Sequence, residues 1–426
     1  MKNIIKRSTL VLMLLTIIIV AVNCTKKNQV IGTPAPVVPN TDTLYCVPGT
    51  ATLQPIGGAA WDGTIEAAWN SAPKLTVHAV VPDLGNDNFN GWVGNSTDVT
   101  MRSLYDATNI YYLVEWNSDR KHCESSPWYY NPATLRWMQE ASTPVKNADS
   151  TTFRPPFIQD QFVMMFNINY SVPNFNTLSC YVACHVNSGY LSGPAPEGGV
   201  MYTNGPTEFL DCWRARMVQV VNANQANDCY IWDGAGALDK NEVASDAQAS
   251  TKDGGFSNKQ TLTITGKTTK VSVPWFVIPS GTYSNGAMLQ KDTLSGGAAV
   301  KVIAVDSNGV LTLAGGATID PRTAASGTSY QQVGTGDGAK CIPGSFVSPY
   351  SGSRGDVTAN AFWTGTGWRL LLKRALNTNQ AVIPGTTSKD DVDLSGLGDQ
   401  PFGIGVMFNG ADNQHAIVAG LHLHFK

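Results

Sequence analysis

Val99-Thr100-Met101-Arg102-Ser103-Leu104-Tyr105-Asp106-Ala107-Thr108-Asn109-Ile110-Tyr111-Tyr112-Leu113-Val114-Glu115-Trp116 is the stretch on which the fold class turns. Its two halves are rich in β-branched and aromatic residues, and the first alternates apolar with polar positions as a half-buried strand does. Asp106-Ala107-Thr108-Asn109 supplies turn residues between them, so the spacing predicts a β-hairpin. Outward from it the same grammar recurs. Leu75–Val80 alternates, 161–168 is a nearly unbroken apolar run suited to a central strand, and 361–363, 368–373 and 402–408 are strand-like again. Between 234 and 346 the chain is turn-rich, with short strands predicted at 260–264, 269–273 and 300–305. Many short strands separated by turns predict an all-β fold, an antiparallel β-sandwich (immunoglobulin- or jelly-roll-like) with short helices and long loops.

The last strand carries a chemical signal. In His415-Ala416-Ile417-Val418-Ala419-Gly420-Leu421-His422-Leu423-His424-Phe425, side chains alternate between faces. An unbroken strand puts Ile417, Ala419, Leu421, Leu423 and Phe425 on one face with His415 at its head. A hydrogen-bonded core histidine and a metal ligand both fit that position. His422 and His424 fall on the other, more polar face. They are close enough to grip a metal together, but no carboxylate or thiol lies nearby in sequence, which favours a solvated face.

The second signal is Cys180-Tyr181-Val182-Ala183-Cys184-His185. Two thiols with an imidazole directly after the second are the parts of a covalent haem attachment site, although three residues separate the thiols where two are usual. Disulfides and a loop histidine are the other reading. Met164 and Met165 are further iron-ligand types, but within an apolar strand they read as core packing.

Compartment bears on the cysteines. Lys2, Lys6 and Arg7 precede an apolar run over 10–22, the pattern of a secretory signal across 1–23. Cys24 then stands where a bacterial lipoprotein carries its acyl chains. Residues 24–50, with four prolines, read as a lipidated tether, and 51–426 as the domain, with 234–346 as an insertion. The expected location is outside the cytoplasm, anchored to the bacterial membrane on its periplasmic or cell-surface side. In an oxidising compartment thiols tend to pair. With Cys24 lipidated and Cys180 and Cys184 on haem, Cys46, Cys123, Cys212, Cys229 and Cys341 remain, an odd set. A net charge of −3, with no basic cluster beyond Lys26-Lys27, argues against a nucleic-acid partner.

Several motifs in order carry a family resemblance. They are D-G…A-A-W-N-S-A-P around Trp69, Y-L-V-E-W-N-S-D at 112–119, the C-H followed by D-C-W-R-A-R at 211–216, and G-S-R-G-D-V-T-A-N-A-F-W-T-G-T-G-W at 352–368. L-L-K-R-A-L-N-T, D-D-V-D and F-G-I-G-V-M-F-N-G-A-D-N-Q-H-A follow. Together they resemble the haem-binding domain of the ethylbenzene dehydrogenase γ subunit and related cytochrome c-552-like proteins. That resemblance implies a β-sandwich holding one haem, b-type with Met and Lys ligands in the molybdoenzyme subunits. By the resemblance His185 replaces the Met and His415 falls close to the Lys. Arg214 stands where relatives often show Lys, and no role is carried over to it.

The expectation is a membrane-anchored monohaem c-type cytochrome: Cys180 and Cys184 hold the haem (b-type if attachment fails), and His185 and His415 are its axial ligands. Such a protein is an electron carrier with redox protein partners and is no enzyme. Two alternatives stand beside it: a haem subunit of a molybdoenzyme complex, and a carbohydrate-type binding lipoprotein using Trp128, Tyr129 and Tyr130 as surface stacking groups.

Overall fold

The computed structural model describes residues 42–82, 93–141, 145–146, 153–154, 157–182, 203, 205–232, 255–280, 287–323, 342–378, 382–383, 385–410 and 415–426. Strands dominate. Among the described residues α-helix is limited to α1 (Phe175–Leu178) and α2 (Met217–Ala223). The all-β class therefore holds.

One sheet of eleven strands organises the fold. Its members are β1 (Thr43–Pro48), β2 (Leu75–Val80), β3 (Ser96–Tyr105), β4 (Asn109–Asn117), β5 (Gln161–Asn167) and β6 (Phe209–Arg216). They continue with β7 (Asn227–Trp232), β8 (Thr358–Trp363), β9 (Gly367–Ala375), β10 (Gln400–Met407) and β11 (Ala416–Phe425). The order is β7-β6-β5-β10-β11-β1-β3-β4-β9-β8, with β2 pairing β11 and β3.

The β3–β4 hairpin forms where the sequence places it. Asp106 Oδ1 accepts the backbone N–H groups of Thr108 and Asn109, each at 2.8 Å, which closes the turn. In β4 the residues Ile110, Tyr112, Val114 and Trp116 face the main core, while Tyr111 and Leu113 pack with Trp61 and Trp69 on the far side. Both faces of this strand are thus covered.

The sheet doubles back on itself. Tyr112 of β4 meets Trp213 of β6 edge to face, and Trp116 stacks on Phe162 of β5, although these strands are far apart in the hydrogen-bonded order. Two layers result, with Phe162, Met164, Phe166, Trp213, Phe402 and Ile404 from one packed on residues of β3, β4 and β9 from the other. A bridge between Gln225, just before β7, and Thr358 of β8 links the two ends of the sheet.

Three expectations are corrected. The sheet is mixed, because β1 runs parallel to both β11 and β3. The folded region also starts earlier than residue 51. Thr43–Pro48 reads as Pro-rich tether in sequence, yet Leu44 and Cys46 are fully buried in the core. Finally, Trp128, Tyr129 and Tyr130 are buried rather than exposed. Trp128 and Tyr130 anchor a second core with Trp137 and the small sheet of Phe276–Val277, Val300–Val305, Leu311–Leu313 and Thr318–Ile319. Trp128 Nε1 donates to the Asn258 carbonyl at 2.7 Å. The sugar-stacking alternative loses its aromatic surface.

Candidate functional site

The parity of the last strand is broken by a bulge. β10 pairs with β11 through Phe402↔Leu421 and then Ile404↔Val418, so Ala419 and Gly420 together oppose one residue. Gly420 takes φ +72°, the left-handed conformation that such a bulge assigns to glycine. A Cβ there would also lie 3.3 Å from the Thr177 carbonyl oxygen. The bulge moves Leu421 and Leu423 into the main core with Ala416, and turns Ile417 to the opposite face. The expected single face running from His415 to Phe425 is therefore two half-faces. By the same alternation His415 belongs with Ile417.

That outer face is a distinct apolar surface. Val163 and Met165 of β5, Leu210 and Cys212 of β6, Cys229 and Ile231 of β7, and Met407 and Ile417 line it. Met164 faces the main core instead, so both methionines sit in packed apolar surroundings. On β10 this face is kept low by two glycines. Gly403 and Gly405 alternate with Phe402, Ile404 and Val406, which point into the main core. A Cβ on Gly405 would stand 3.0 Å from His415 Cδ2 and 3.7 Å from Nε2, so the imidazole lies directly against the strand. His415 is half-buried.

Gly403 receives a different group. Its missing Cβ leaves room for Ser179, whose Cβ would otherwise be 2.5 Å away. Ser179 Oγ donates to the Phe402 carbonyl (3.2 Å) and accepts the Gly420 N–H (3.1 Å), stitching the end of α1 to β10 and β11. The 3₁₀ turn Ser179–Val182 follows and buries Cys180 in the same cluster as Met165 and Ile417. Gly403→Ala is expected to cost about 1–3 kcal/mol by overpacking Ser179. Urea denaturation measures it, and an unchanged midpoint would contradict this packing.

Of the candidate residues, the structure thus brings Cys180 and His415 to one face. Cys24, Cys184 and His185 lie outside the described residues. Cys212 and Cys229 are direct cross-strand neighbours there, with the Cys229 thiol donating to the Cys212 carbonyl at 3.0 Å. Cys46 is elsewhere, in the main core. Burial pushes its thiol up to about 12 despite the hydrogen bond from Ser103 Oγ, so it stays protonated. His422 and His424 point to solvent beside Thr43, Tyr45 and Asp399, and His424 Nδ1 pairs with Asp399 Oδ1 at 2.6 Å.

Asp160 holds the approach to His415. It is fully buried, and its Oδ2 accepts Trp368 Nε1 at 2.9 Å while Oδ1 accepts the Gly410 N–H at 3.1 Å. Burial raises this carboxyl to about 6, opposed by nearby His122 and by hydrogen bonds from Ser118, Gly410 and Trp368. The folded form therefore keeps its proton to higher pH than the unfolded chain, whose value is about 4. The sign follows from linkage: this group's stabilising contribution is full below about pH 4 and is lost as pH rises through about 6. Up to about 3 kcal/mol is involved. Asp160→Asn should flatten the stability profile between pH 4 and 6, checked by denaturation at several pH values; an unaltered slope would count against the assignment.

Residues 66–416 match the family model of ethylbenzene dehydrogenase. The chain belongs to the ethylbenzene dehydrogenase family. Comparison with curated proteins returned no match. Membership corrects two expectations. The matching family is a dehydrogenase family and not the γ-subunit cytochrome family that the motifs resemble, and an electron carrier that is no enzyme is the wrong class for it. The ethylbenzene dehydrogenase match spans both the Ser179–Cys180 turn and the Gly403–Gly405 strand.

The sequence pattern missed Ser179, Gly403, Gly405 and Asp160 as parts of this site. Gly-Ile-Gly within an apolar strand was the available signal, since glycines two apart mark one face where another group approaches closely. Nothing in the run around Asp160 announces a buried carboxyl.

Proposed function

We propose that this chain is a haem-holding component of a dehydrogenase system, with the haem on the outer face of β5, β6, β10 and β11. The observation that carries the reading is His415 lying against Gly405 on the face that also holds Cys180. The surface suits a porphyrin: it is apolar, broadened by methionine and cysteine side chains, and has an imidazole at its edge. Cys180 and Cys184 would hold the group, and His185 and His415 would ligate the iron. When bound, it supplies one-electron exchange between a substrate-oxidising centre and a redox protein partner. The chain's own contribution is to fix His415 through the β10 glycines and to exclude water with the α1 cap.

Export and anchoring through Cys24 belong to the same reading, because a covalent link retains a cofactor that cannot be replaced outside the cell. Protein made in a host competent for cytochrome maturation should show a Soret band that shifts on reduction and a haem-staining band after denaturing electrophoresis. A colourless preparation would end the proposal. Cys24→Ala should release the protein from the membrane fraction.

A further inference from the structure

Four aspartates and one arginine converge inside the sandwich, on the side of β6 opposite Cys212. Asp211 and Asp228 come from β6 and β7, Arg374 from β9, and Asp390 and Asp391 from the segment before β10. Asp211, Asp228 and Asp391 each offer an oxygen within 4.8 Å of the other two, and all three are buried.

The charges do not balance. Arg374 Nη1 lies 2.5 Å from Asp211 Oδ2, 3.6 Å from Asp391 Oδ1 and 4.0 Å from Asp228 Oδ2. Arg374 Nη2 is turned away to the Val392 carbonyl at 2.6 Å. One guanidinium thus faces three carboxylates, with Asp390 close by. Asp228 is 3% exposed, yet neither of its oxygens receives a hydrogen bond. Asp211 Oδ1, Asp390 Oδ1 and the Tyr230 hydroxyl are likewise buried without a partner. Buried carboxylate oxygens left this way are costly unless a proton or a cation meets them.

We propose that Asp211, Asp228 and Asp391 form a binding site for a divalent cation of the calcium type. Carboxylate oxygens with no thiol or imidazole among them suit a hard cation. Oxygens bound to one ion at about 2.4 Å can stand at most about 4.8 Å apart, and this set meets that limit. Magnesium fits less well, since it keeps several waters and demands a tighter octahedron. The ion would clamp β6 and β7 to the 390–392 segment. It is independent of the haem face and of the function proposed above.

Without such an ion the structure has another way to relieve the charge. Burial, with the carboxylates of Asp391 and Asp211 beside it, pushes Asp228 well above the usual carboxylate range, so a proton would take the cation's place. The experiment separates the two. The full chain is treated with EDTA, unfolded in urea, and refolded with calcium, with magnesium or with EDTA alone. Terbium emission sensitised through Trp213 and Tyr230, which lie opposite Asp228 and Asp211 in the β6–β7 register, reports occupancy without any variant. Calcium at a hundredfold over its Kd should raise Tm by roughly 5 °C and displace terbium, with magnesium much weaker. Asp228→Asn should abolish both responses. Equal Tm in calcium and EDTA, no terbium signal from the wild type, or a calcium response that survives in Asp228→Asn would each overturn the site.

Discussion

Arg374→Met is expected to destabilise the protein by about 3–5 kcal/mol, because it removes one side of a buried ion cluster and leaves the other in place. The methionine stem fills most of the same volume, so little of the loss is cavity. Three contacts go: the ion pair with Asp211, the hydrogen bond to the Val392 carbonyl, and the guanidinium stacked 4.6 Å over Trp213. What remains is worse than absence, since Asp211, Asp228 and Asp391 then face one another with no counter-charge. Urea denaturation in EDTA measures the cost with divalent ions removed. Arg374→Lys should fall between the two, because an ammonium keeps the charge but cannot address Asp211 and Val392 as a planar fork. Adding Asp211→Asn to Arg374→Met should recover part of the loss, as a double-mutant cycle requires of groups that interact. A methionine variant within 1 kcal/mol of wild type would mean that the carboxylates are already neutral.

The arginine cluster also marks the limit of what the sequence makes legible. The 99–116 hairpin was readable because alternation, β-branched residues and a turn of the Asp106 type all act within a few residues. The all-β class followed from the same local rules. Asp211, Asp228, Arg374 and Asp391 come from four separate segments, and each alone looks like an ordinary polar residue in or beside a strand. Only the doubling of the sheet makes them neighbours. Thr43–Pro48 failed for the opposite reason: flanking prolines suggest a tether, while its burial comes from β11 and β3, which lie elsewhere in the chain. The last strand was half readable. Its alternation predicted the core residues correctly on each side of Gly420, but a bulge is one extra residue, and counting across it reverses the face. At the candidate haem face the Cys/His hexapeptide and His415 announce their chemistry by type. The glycines that seat the imidazole announce only space.

That seating gives the haem proposal its sharpest consequence. Protein carrying haem should have a low-spin spectrum, and His415→Ala should lose nearly all of it while the covalently held haem remains on a denaturing gel. Added imidazole should restore the low-spin bands, because the ring's removal leaves a gap over Gly405 of the right size and chemistry. Gly405→Leu supplies the control: it leaves His415 in the chain but fills the space its ring occupies, starting from a Cβ only 3.0 Å from Cδ2. The same high-spin shift should follow, now without rescue by imidazole. A merely structural histidine would instead lower stability and leave the spin state alone. If His415→Ala keeps a low-spin spectrum, the iron ligand lies elsewhere and the Gly405 contact is packing. If the two variants differ in spectrum while both stay folded, the imidazole reaches the iron from a position other than the one it holds against β10.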